Sequence, residues 1–484
     1  MKYTLLLLLC ILTIQVFSEK VSKEKAKKIA ENWGSMKMNH AKGDIDSNKK
    51  MNFACDPDTS LYVFNFSTGG FVIVPTDDNT YPILAYSYDN QIDVDNTKPI
   101  FDDWLRYYAD MIKFNKKEKL DKKIKDKWIE IEQGVSLKSI QTTVPSLFET
   151  AQSSRWAYWK PYFNQAPPAQ TGFNEGHNGC VPIGISQIMK YFKYPLIGTG
   201  TGSGYNNGTY FTQQINCFFD YNLMPFRLTY CGNGTNNCND SSFNIIPGVT
   251  QANLDEVGKI QYNAGLAVEM HWIGMGSTAG TGTYTTSIPP TFTLDWVNEM
   301  ANHFYFIPPT SSDHWYSSEI TASTSGFKSG LRNSLNNAYP VLFRYETVLN
   351  GGGHLLVIDG YENDNYFHFA MGCGGGLDAY YYLFSSDNDG VHLPRPYINL
   401  WGLDACLNIR PNCPPSQNKT VTNKVISTGN SELIQSGLDL MVDHVTVQSG
   451  GRAILRADHA IVISNDFEVA LGGEILMVCK PCSN

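Results

Sequence analysis

The stretch "EGHNGCVPIGISQIMKYFKYP", residues 175–195, decides the fold of this 484-residue chain. Pro182 suits the first turn of a helix, where a missing N–H costs nothing, and Pro195 ends the pattern. The spacing predicts a helix over residues 181–192 with Cys180 at its N-terminus. The apolar residues that recur at helical spacing are Val181, Ile185, Ile188, Met189 and Phe192.

A cysteine at the start of a helix has two explanations. The unpaired N–H groups and the positive end of the helix dipole favour a thiolate there, and the same groups stabilise an oxyanion formed beside the sulfur. Alternatively, Cys180 is a small apolar residue buried where the helix begins. The position alone does not decide between them, because a nucleophile also needs a base.

A histidine that could act as that base lies in "NGGGHLLVIDGYENDNYFHF", residues 350–369. His354 follows three glycines at the head of an apolar strand, and histidine is the usual partner of a thiolate because it titrates near neutral pH. The glycines permit close approach of a substrate backbone. His354 alone also fits an ordinary strand position, and His177 and His368 are interpreted as structural histidines.

The first residues predict export. A short positive start, an apolar run ending near Leu12 and small residues before Ser18 are typical of a signal peptide, residues 1–18, cleaved after Ser18. The run is too short to span a bilayer, and we expect no transmembrane segment after its removal. The net charge of -9 gives no indication of nucleic-acid binding. We therefore expect a secreted or cell-surface protein.

Cysteines of an exported chain can form disulfides. "CKPC", Cys479 to Cys482, is interpreted as a local disulfide or an unpaired tail, because no second CxxC completes a metal site and no redox fold surrounds it. Two further pairs are close enough in sequence for local bridges: Cys231 with Cys238, and Cys406 with Cys413.

The remaining patterns divide the chain into three folded parts of an overall α+β class. Residues 19–145 predict a small α+β unit with an amphipathic helix, a hairpin and further helices. Residues 146–410 predict helices at 181–192 and near 326–336 and mostly antiparallel strands, with 197–239 interpreted as loops. Residues 419–484 alternate with period two and predict an all-β solenoid or sandwich. Its expected inner face is Val445, Val447, Ile454, Ile461, Ile463, Phe467, Val469, Ile475 and Met477.

The segments around Cys180 and His354 resemble those of the streptopain family of secreted cysteine peptidases, in similar order and separation. "RWAYWKPYFNQAPP", "LAVEMHWIGMGSTAG" and "NNAYPVLFRY" are similar to intervening family segments, so the resemblance covers about Arg155 to Pro411. It implies a papain-like peptidase domain, an inhibitor-like propeptide before it and synthesis as a zymogen, with no cofactor. Cys180 would attack a peptide carbonyl, and His354 would keep the thiol ionised and then protonate the leaving amine.

Four positions depart from the family pattern. Tyr158 stands where the family usually has an oxyanion-hole glutamine. Ala370 and Met371 stand where an Asn-Trp pair normally orients and shields the histidine, and Cys373 replaces another tryptophan.

Another group must then orient the imidazole of His354. Asp359, five residues along the same strand, should face the opposite side. Asn363, Asn365 or a backbone carbonyl remain possible orienters.

These features predict a secreted cysteine endopeptidase acting on polypeptides, made as a zymogen with its own pro-domain as inhibitor. The alternative is a catalytically impaired relative that acts as a secreted binding or adhesion protein, favoured by the replaced site residues. A third hypothesis is another thiol acyl-transfer enzyme, such as an amidase, which explains the pro-domain less well.

Overall fold

A computed structural model of the chain describes the following residues: 19–37, 44–52, 60–94, 99–116, 122–134, 143–159, 161–165, 178–206, 209–231, 243–272, 278–279, 293–347, 353–362, 365–383, 401–479 and 482. The predicted signal peptide, His177 and Asn363 lie outside these residues. The chain forms two units, 1–86 with 104–139, and 87–103 with 140–484. Among the described residues, no helix has the length and apolar character that a membrane crossing requires.

The first unit combines helices with an antiparallel sheet, as the sequence predicts. Strands β1, β2 and β3 pair antiparallel in that order, and Gly69 and Gly70 adopt positive φ in the hairpin turn between β2 and β3. Part of β4 and the start of α2 belong to the second unit. The elements are α1 (Lys23–Lys37), β1 (Ile45–Asn52), β2 (Ser60–Phe66), β3 (Phe71–Pro75), β4 (Ala85–Ser87), α2 (Pro99–Asn115) and α3 (Lys122–Glu132).

The second unit contains the predicted α5 helix and a central antiparallel sheet. Its helices are α4 (Leu147–Thr150), α5 (Cys180–Phe192), α6 (Gln251–Ala267), α7 (Thr293–Phe304), α8 (Ser317–Ala322) and α9 (Thr324–Asn336). Its strands up to residue 406 are β5 (Thr143–Val144), β6 (Thr201–Asn206), β7 (Thr209–Gln214), β8 (Thr229–Cys231), β9 (Phe243–Ile245), β10 (Met270–Trp272), β11 (Thr278–Ala279), β12 (His314–Tyr316), β13 (Val341–Thr347), β14 (Gly353–Glu362), β15 (Tyr366–Ala370), β16 (Ala379–Tyr382) and β17 (Trp401–Cys406).

The central sheet has the order β16-β15-β14-β13-β17-β12, and all these pairings are antiparallel. Helix α5 packs against β13 and β14. A Cβ at Gly184 would lie only 3.2 Å from side-chain carbons of Leu342 and Leu355, so the glycine allows the helix to approach the sheet closely. The α+β class is confirmed, and this packing brings the start of α5 to the start of β14.

The interpretation of residues 197–239 as loops is wrong in part. Strands β6 and β7 pair there as a hairpin. A Cβ on Gly202 would meet the backbone oxygen of Leu266 at 2.7 Å, and one on Gly204 would meet the ring of Trp272 at 2.3 Å. Glycine marks close packing in this strand, where its low strand propensity otherwise suggests a loop.

The C-terminal part is a solenoid, because its strands pair in parallel. In one sheet Lys419 pairs with Leu440, and Leu440 pairs with Ile461, an offset of 21 residues at each step. Antiparallel hairpins of a small sandwich do not produce this register. The strands are β18 (Lys419–Ile426), β19 (Ser431–Ser436), β20 (Asp439–Val447), β21 (Arg452–Ala457), β22 (Ala460–Ile463), β23 (Glu468–Val469) and β24 (Glu474–Cys479).

The predicted inner face of the solenoid is correct for its middle coil and wrong for parts of its last coil. Val445 and Val447 are fully buried, and Ile461, Phe467 and Ile475 pack against that core. Three residues of the last strands are exposed instead, because β22, β23 and β24 are each covered by a neighbouring strand on one side only. These residues are Ile463, Val469 and Met477.

The cysteine pairing also differs from the expectation. Cys482 forms a disulfide with Cys413, 69 residues earlier, so it does not bridge to Cys479, and Cys406 does not bridge to Cys413. Cys406 is a buried free thiol, and Cys479 is an exposed one. The bridge ties the end of the last coil to the segment that precedes the first.

We expect the double variant Cys413→Ser/Cys482→Ser to lower the free energy of unfolding of the solenoid by up to about 4 kcal/mol, because the bridge closes a long loop of the unfolded chain. Thermal unfolding followed by circular dichroism measures the change. Cys479→Ser is the matched control and should leave the midpoint unchanged. An unchanged midpoint in the double variant would contradict this role of the bridge.

Candidate active site

Cys180 is the first residue of α5, and the chain must turn sharply to place it there. Gly179 precedes it with φ 85°, a backbone conformation that favours glycine. The cysteine side chain is partly exposed, whereas the rest of the helix is buried. The predicted position of Cys180 at a helix N-terminus is confirmed.

His354 lies in β14 directly beside this helix start. The backbone N–H of Leu355, the next residue, donates a hydrogen bond to Cys180 Sγ over 3.4 Å. The start of β14, which carries His354, therefore lies against the start of α5, which carries Cys180. His354 itself is buried, with 2% of its surface exposed.

The imidazole of His354 is held by a backbone carbonyl. Its Nε2 donates to the carbonyl oxygen of Met371 over 2.9 Å. Its Nδ1 is buried and has no hydrogen-bond partner among the described residues. Of the possible orienters, the structure places a backbone carbonyl on the ring, while Asn365 accepts a hydrogen bond from Lys328 instead.

Burial keeps both groups in their neutral forms at pH 7. It raises the pKa of the Cys180 thiol above the usual 9.0, against the opposing effect of the N–H groups at Leu355, Cys180 and Val181 and the charge of Arg344. It lowers the pKa of His354 to about 4, against the opposing effect of the Met371 carbonyl. The full-length chain therefore holds a thiol and a neutral imidazole, not an ion pair.

Tyr158 lies close to the cysteine through the backbone. Its carbonyl oxygen accepts the N–H of Asn178 over 3.0 Å, two residues before Cys180. The preceding residue, Ala157, forms a β-bridge with Cys373. The segments that carry the departures from the family pattern thus border the same site, and the side chain of Tyr158 is half-buried.

Asp359 does not approach His354, as the strand alternation predicts. It pairs with the other strand histidine instead, because its Oδ1 lies 2.6 Å from His368 Nδ1. Its Oδ2 accepts from Ser146 Oγ over 2.6 Å and from Phe148 N–H over 3.0 Å. His368 is therefore a structural histidine. Its sequence context did not reveal that Asp359 is its charged partner.

Residues 87–103, which precede the peptidase-like region, belong to the same unit as the site. Asn90 Nδ2 donates to the backbone oxygen of Asp378 over 2.6 Å, and Ser87 Oγ donates to the same oxygen over 3.3 Å. Arg155 forms a salt bridge of 2.8 Å with Asp89. Residues 87–103 are thereby attached to the loop beside His354.

Comparison with known families agrees with this arrangement. Residues 156–381 match the Peptidase C10 family, and residues 18–112 match the Spi protease inhibitor family. The chain therefore contains a peptidase C10 domain, the domain of the streptopain family. The resemblance of the site segments is confirmed, and the peptidase C10 domain is preceded by a Spi inhibitor-like domain.

Relatives of the peptidase C10 chain are bacterial. Streptopain from Streptococcus pyogenes serotype M28 (strain MGAS6180) is 26% identical over 339 residues, which cover 67% of this chain and 74% of that protein. The thiol protease/hemagglutinin PrtT of Porphyromonas gingivalis is 23% identical over 399 residues, 79% of this chain and 40% of that protein. A solved fragment of prointerpain A from Prevotella intermedia aligns with a TM-score of 0.49 and 20% identity, over 75% of this chain and 98% of the fragment.

We expect alkylation of Cys180 in the full-length chain to follow a single titration with a midpoint above 9, because the thiol is neutral at lower pH. Iodoacetamide modification, followed by peptide mass spectrometry, should be slow from about pH 5 to about pH 8 and rise at alkaline pH. Exposed Cys479 is the internal control for reagent quality. A plateau of high reactivity across the acidic and neutral range would show a thiolate-imidazolium pair and contradict this expectation.

The His368–Asp359 pair makes stability depend on pH. Burial opposes the charged imidazole, but Asp359, Glu149 and Asp378 outweigh it and raise the pKa of His368 to about 9 from 6.5. Because the folded pKa lies above the unfolded one, the stabilisation is complete below about pH 6.5 and is lost as the pH rises to about 9.

We therefore expect the free energy of unfolding of this unit to fall by about 3 kcal/mol over that interval. Urea titrations at several pH values measure it. His368→Gln should remove most of the slope, whereas His271→Gln should retain it, since burial lowers the pKa of His271. An equal slope in His368→Gln would show that another group titrates there.

Proposed function

We propose that this chain is the precursor of a secreted cysteine endopeptidase, with Cys180 as nucleophile and His354 as general base and acid. The observation that carries the proposal is the hydrogen bond from the Leu355 N–H to the Cys180 sulfur, which brings the strand that carries His354 to the start of α5. Nδ1 of His354 has no hydrogen-bond partner among the described residues. The peptidase C10 domain and the inhibitor-like domain support the reaction class. Export is supported by the signal-like residues 1–18.

The first half of the reaction forms an acyl-enzyme. The Sγ–H proton of Cys180 moves to Nδ1 of His354, and the sulfur electron pair forms a bond to the carbonyl carbon of the substrate. The carbon–oxygen π electrons move onto the oxygen, which becomes an oxyanion. When the intermediate collapses, the C–N bond breaks and the imidazolium gives its proton to the leaving amine.

The oxyanion needs donors at the start of α5. The backbone N–H groups of Cys180 and Val181 at the start of α5 lower the pKa of the Cys180 thiol, and a helix N-terminus favours negative charge. Tyr158, whose carbonyl oxygen accepts the N–H of Asn178 two residues before Cys180, is a second candidate donor through its hydroxyl. This arrangement requires no amide side chain at residue 158.

The second half of the reaction is hydrolysis. Water attacks the carbonyl carbon of the thioester while Nδ1 of His354 accepts its proton. The intermediate collapses with cleavage of the C–S bond and release of the carboxylic acid product, and the thiol is regenerated when the imidazolium gives the proton to sulfur. Both halves need an imidazole that keeps its ring position and its tautomer. The Met371 carbonyl performs this task by accepting the Nε2–H, and leaves Nδ1 for the proton transfers.

The Met371 contact bears on the alternative, a catalytically silent binding protein. That alternative relies on the replacement of the family's asparagine and tryptophan by Ala370 and Met371. A backbone acceptor supplies the orientation that the asparagine would otherwise provide, so the replacement does not by itself leave the histidine unsupported. The peptidase function is therefore favoured.

The zymogen form is supported by residues 87–103. They fall within the inhibitor-like match and lie in the same unit as the peptidase residues. Their hydrogen bonds reach the loop next to His354 through Asp378 and Arg155. We propose that this segment is part of the intramolecular inhibitor and that its release accompanies activation.

The test follows labelling and cleavage together. The full-length chain, before and after limited proteolysis of the inhibitor-like domain, is treated with an epoxide inhibitor of cysteine peptidases and assayed on casein. We expect one adduct at Cys180, and we expect Cys180→Ser and His354→Ala each to lower cleavage at least about a thousandfold. Cys217→Ser is the matched control, since Cys217 is also a partly exposed free thiol of this unit.

Three outcomes separate the candidate functions. Adduct formation with Cys180-dependent cleavage supports the peptidase. Neither adduct nor cleavage after demonstrated removal of the inhibitor-like domain would support the binding protein. Labelling of Cys180 without cleavage would indicate a different acyl-transfer reaction.

A further inference from the structure

A buried carboxylate accepts a hydrogen bond from Met371, the residue whose carbonyl oxygen holds the imidazole of His354. Asp378 is 3% exposed, and its Oδ1 accepts the N–H of Met371 over 2.8 Å. The carbonyl oxygen of Met371 accepts the Nε2–H of His354 over 2.9 Å. One residue thus has its N–H fixed by Asp378 and its C=O fixed on the imidazole.

The loop that contains Met371 is held by the β-bridge of Ala157 with Cys373 and by Asp378. Gly372 has φ 68°, and a Cβ there would lie 2.9 Å from a methyl carbon of Ile183 on α5. No larger side chain is therefore tolerated at this position to pack the loop in place. The thiol of Cys373 adds only a long contact of 3.6 Å to the Met371 carbonyl. The carboxylate of Asp378, seven residues later, closes the loop back onto Met371.

We propose that Asp378 is a positioning residue of the active site, which holds His354 in its productive place and tautomer through the Met371 peptide. This inference rests on the proposed peptidase function. It gives the replaced Asn-Trp pair a substitute with two components, a backbone carbonyl on the ring and a buried carboxylate behind it. Asp378 does not touch the imidazole or the substrate, so it acts through another residue.

Charged groups from several elements face Asp378. Arg155 and His368 favour its ionised form and Glu149 opposes it, while Arg227 also interacts with it. Burial outweighs the cations and raises the pKa of Asp378 to about 6. The carboxylate is therefore ionised at pH 7, and a charged acceptor binds the Met371 N–H more strongly than a neutral one.

The test compares Asp378→Ala with Asp378→Asn, in the full-length chain and after activation. Asp404→Asn is the matched control, because Asp404 is an equally buried carboxylate that pairs with His314 in the same sheet and does not contact Met371. We expect Asp378→Ala to lower kcat by up to about a hundredfold with little change in KM. A displaced His354 imidazole slows the reaction of bound substrate but leaves substrate binding largely unchanged. Asp378→Asn should recover most of the activity, because its amide oxygen can still accept the Met371 N–H.

A second readout does not depend on hydrolysis. Nitrogen-15 spectra of the histidines, with His354 assigned by His354→Gln, report whether the ring carries its proton on Nε2. We expect the Nε2–H form in the wild type and in Asp378→Asn, and a mixture of tautomers in Asp378→Ala.

The outcomes separate this inference from the function on which it rests. If the wild type shows no Cys180-dependent cleavage, the proposed function fails, and the tautomer of His354 still decides whether Asp378 positions it. If the wild type is active, an unchanged kcat and tautomer in folded Asp378→Ala overturn the inference. Equal loss in Asp378→Ala and Asp378→Asn, with a drop in thermal midpoint like that of Asp404→Asn, would show a purely structural role and also overturn it.

Discussion

The close packing of α5 against the central sheet is the constraint on which the candidate site depends. Gly184 leaves room for Leu342 and Leu355, so the helix start and the start of β14 lie together. If the helix were displaced outward by the thickness of a methyl group, the contact between the Cys180 sulfur and the Leu355 N–H, already 3.4 Å long, would be lost. The position of the Cys180 sulfur is thus a consequence of helix-sheet packing in the core.

Desolvation sets the chemistry of the site as this chain holds it. It is the largest influence on three groups, since it raises the pKa of Cys180, lowers that of His354 and raises that of Asp378. Each shift favours the neutral form. The chain thus holds Cys180 as a neutral thiol and His354 as a neutral imidazole, not as the ion pair that the proposed reaction uses.

The sequence predicted what local periodicity determines. Helix α5 and strands β13, β14 and β15 follow from apolar spacing, and the strand alternation correctly separated Asp359 from His354. In the solenoid, Gly450 N–H donates to the oxygen of Gly472 from one coil to the next. The glycines thus repeat with the coil and give a sequence signal for the register.

Other features depend on contacts that spacing does not encode. Glycines in β6 resemble loop residues until the ring of Trp272 is seen to occupy the space beside them. Cys482 pairs with Cys413 across a whole module, whereas local spacing favoured Cys479. The orienter of His354 is a backbone carbonyl, and every residue has one, so no residue type could identify Met371.

The loop that holds His354 also connects the inhibitor-like segment to the site. The side chain of Asp378 binds the Met371 N–H, while its backbone oxygen accepts from Ser87 and Asn90. One residue therefore joins the proposed inhibitor segment to the support of the histidine. Release of Ser87 and Asn90 from that oxygen would remove two of the hydrogen bonds that hold this loop.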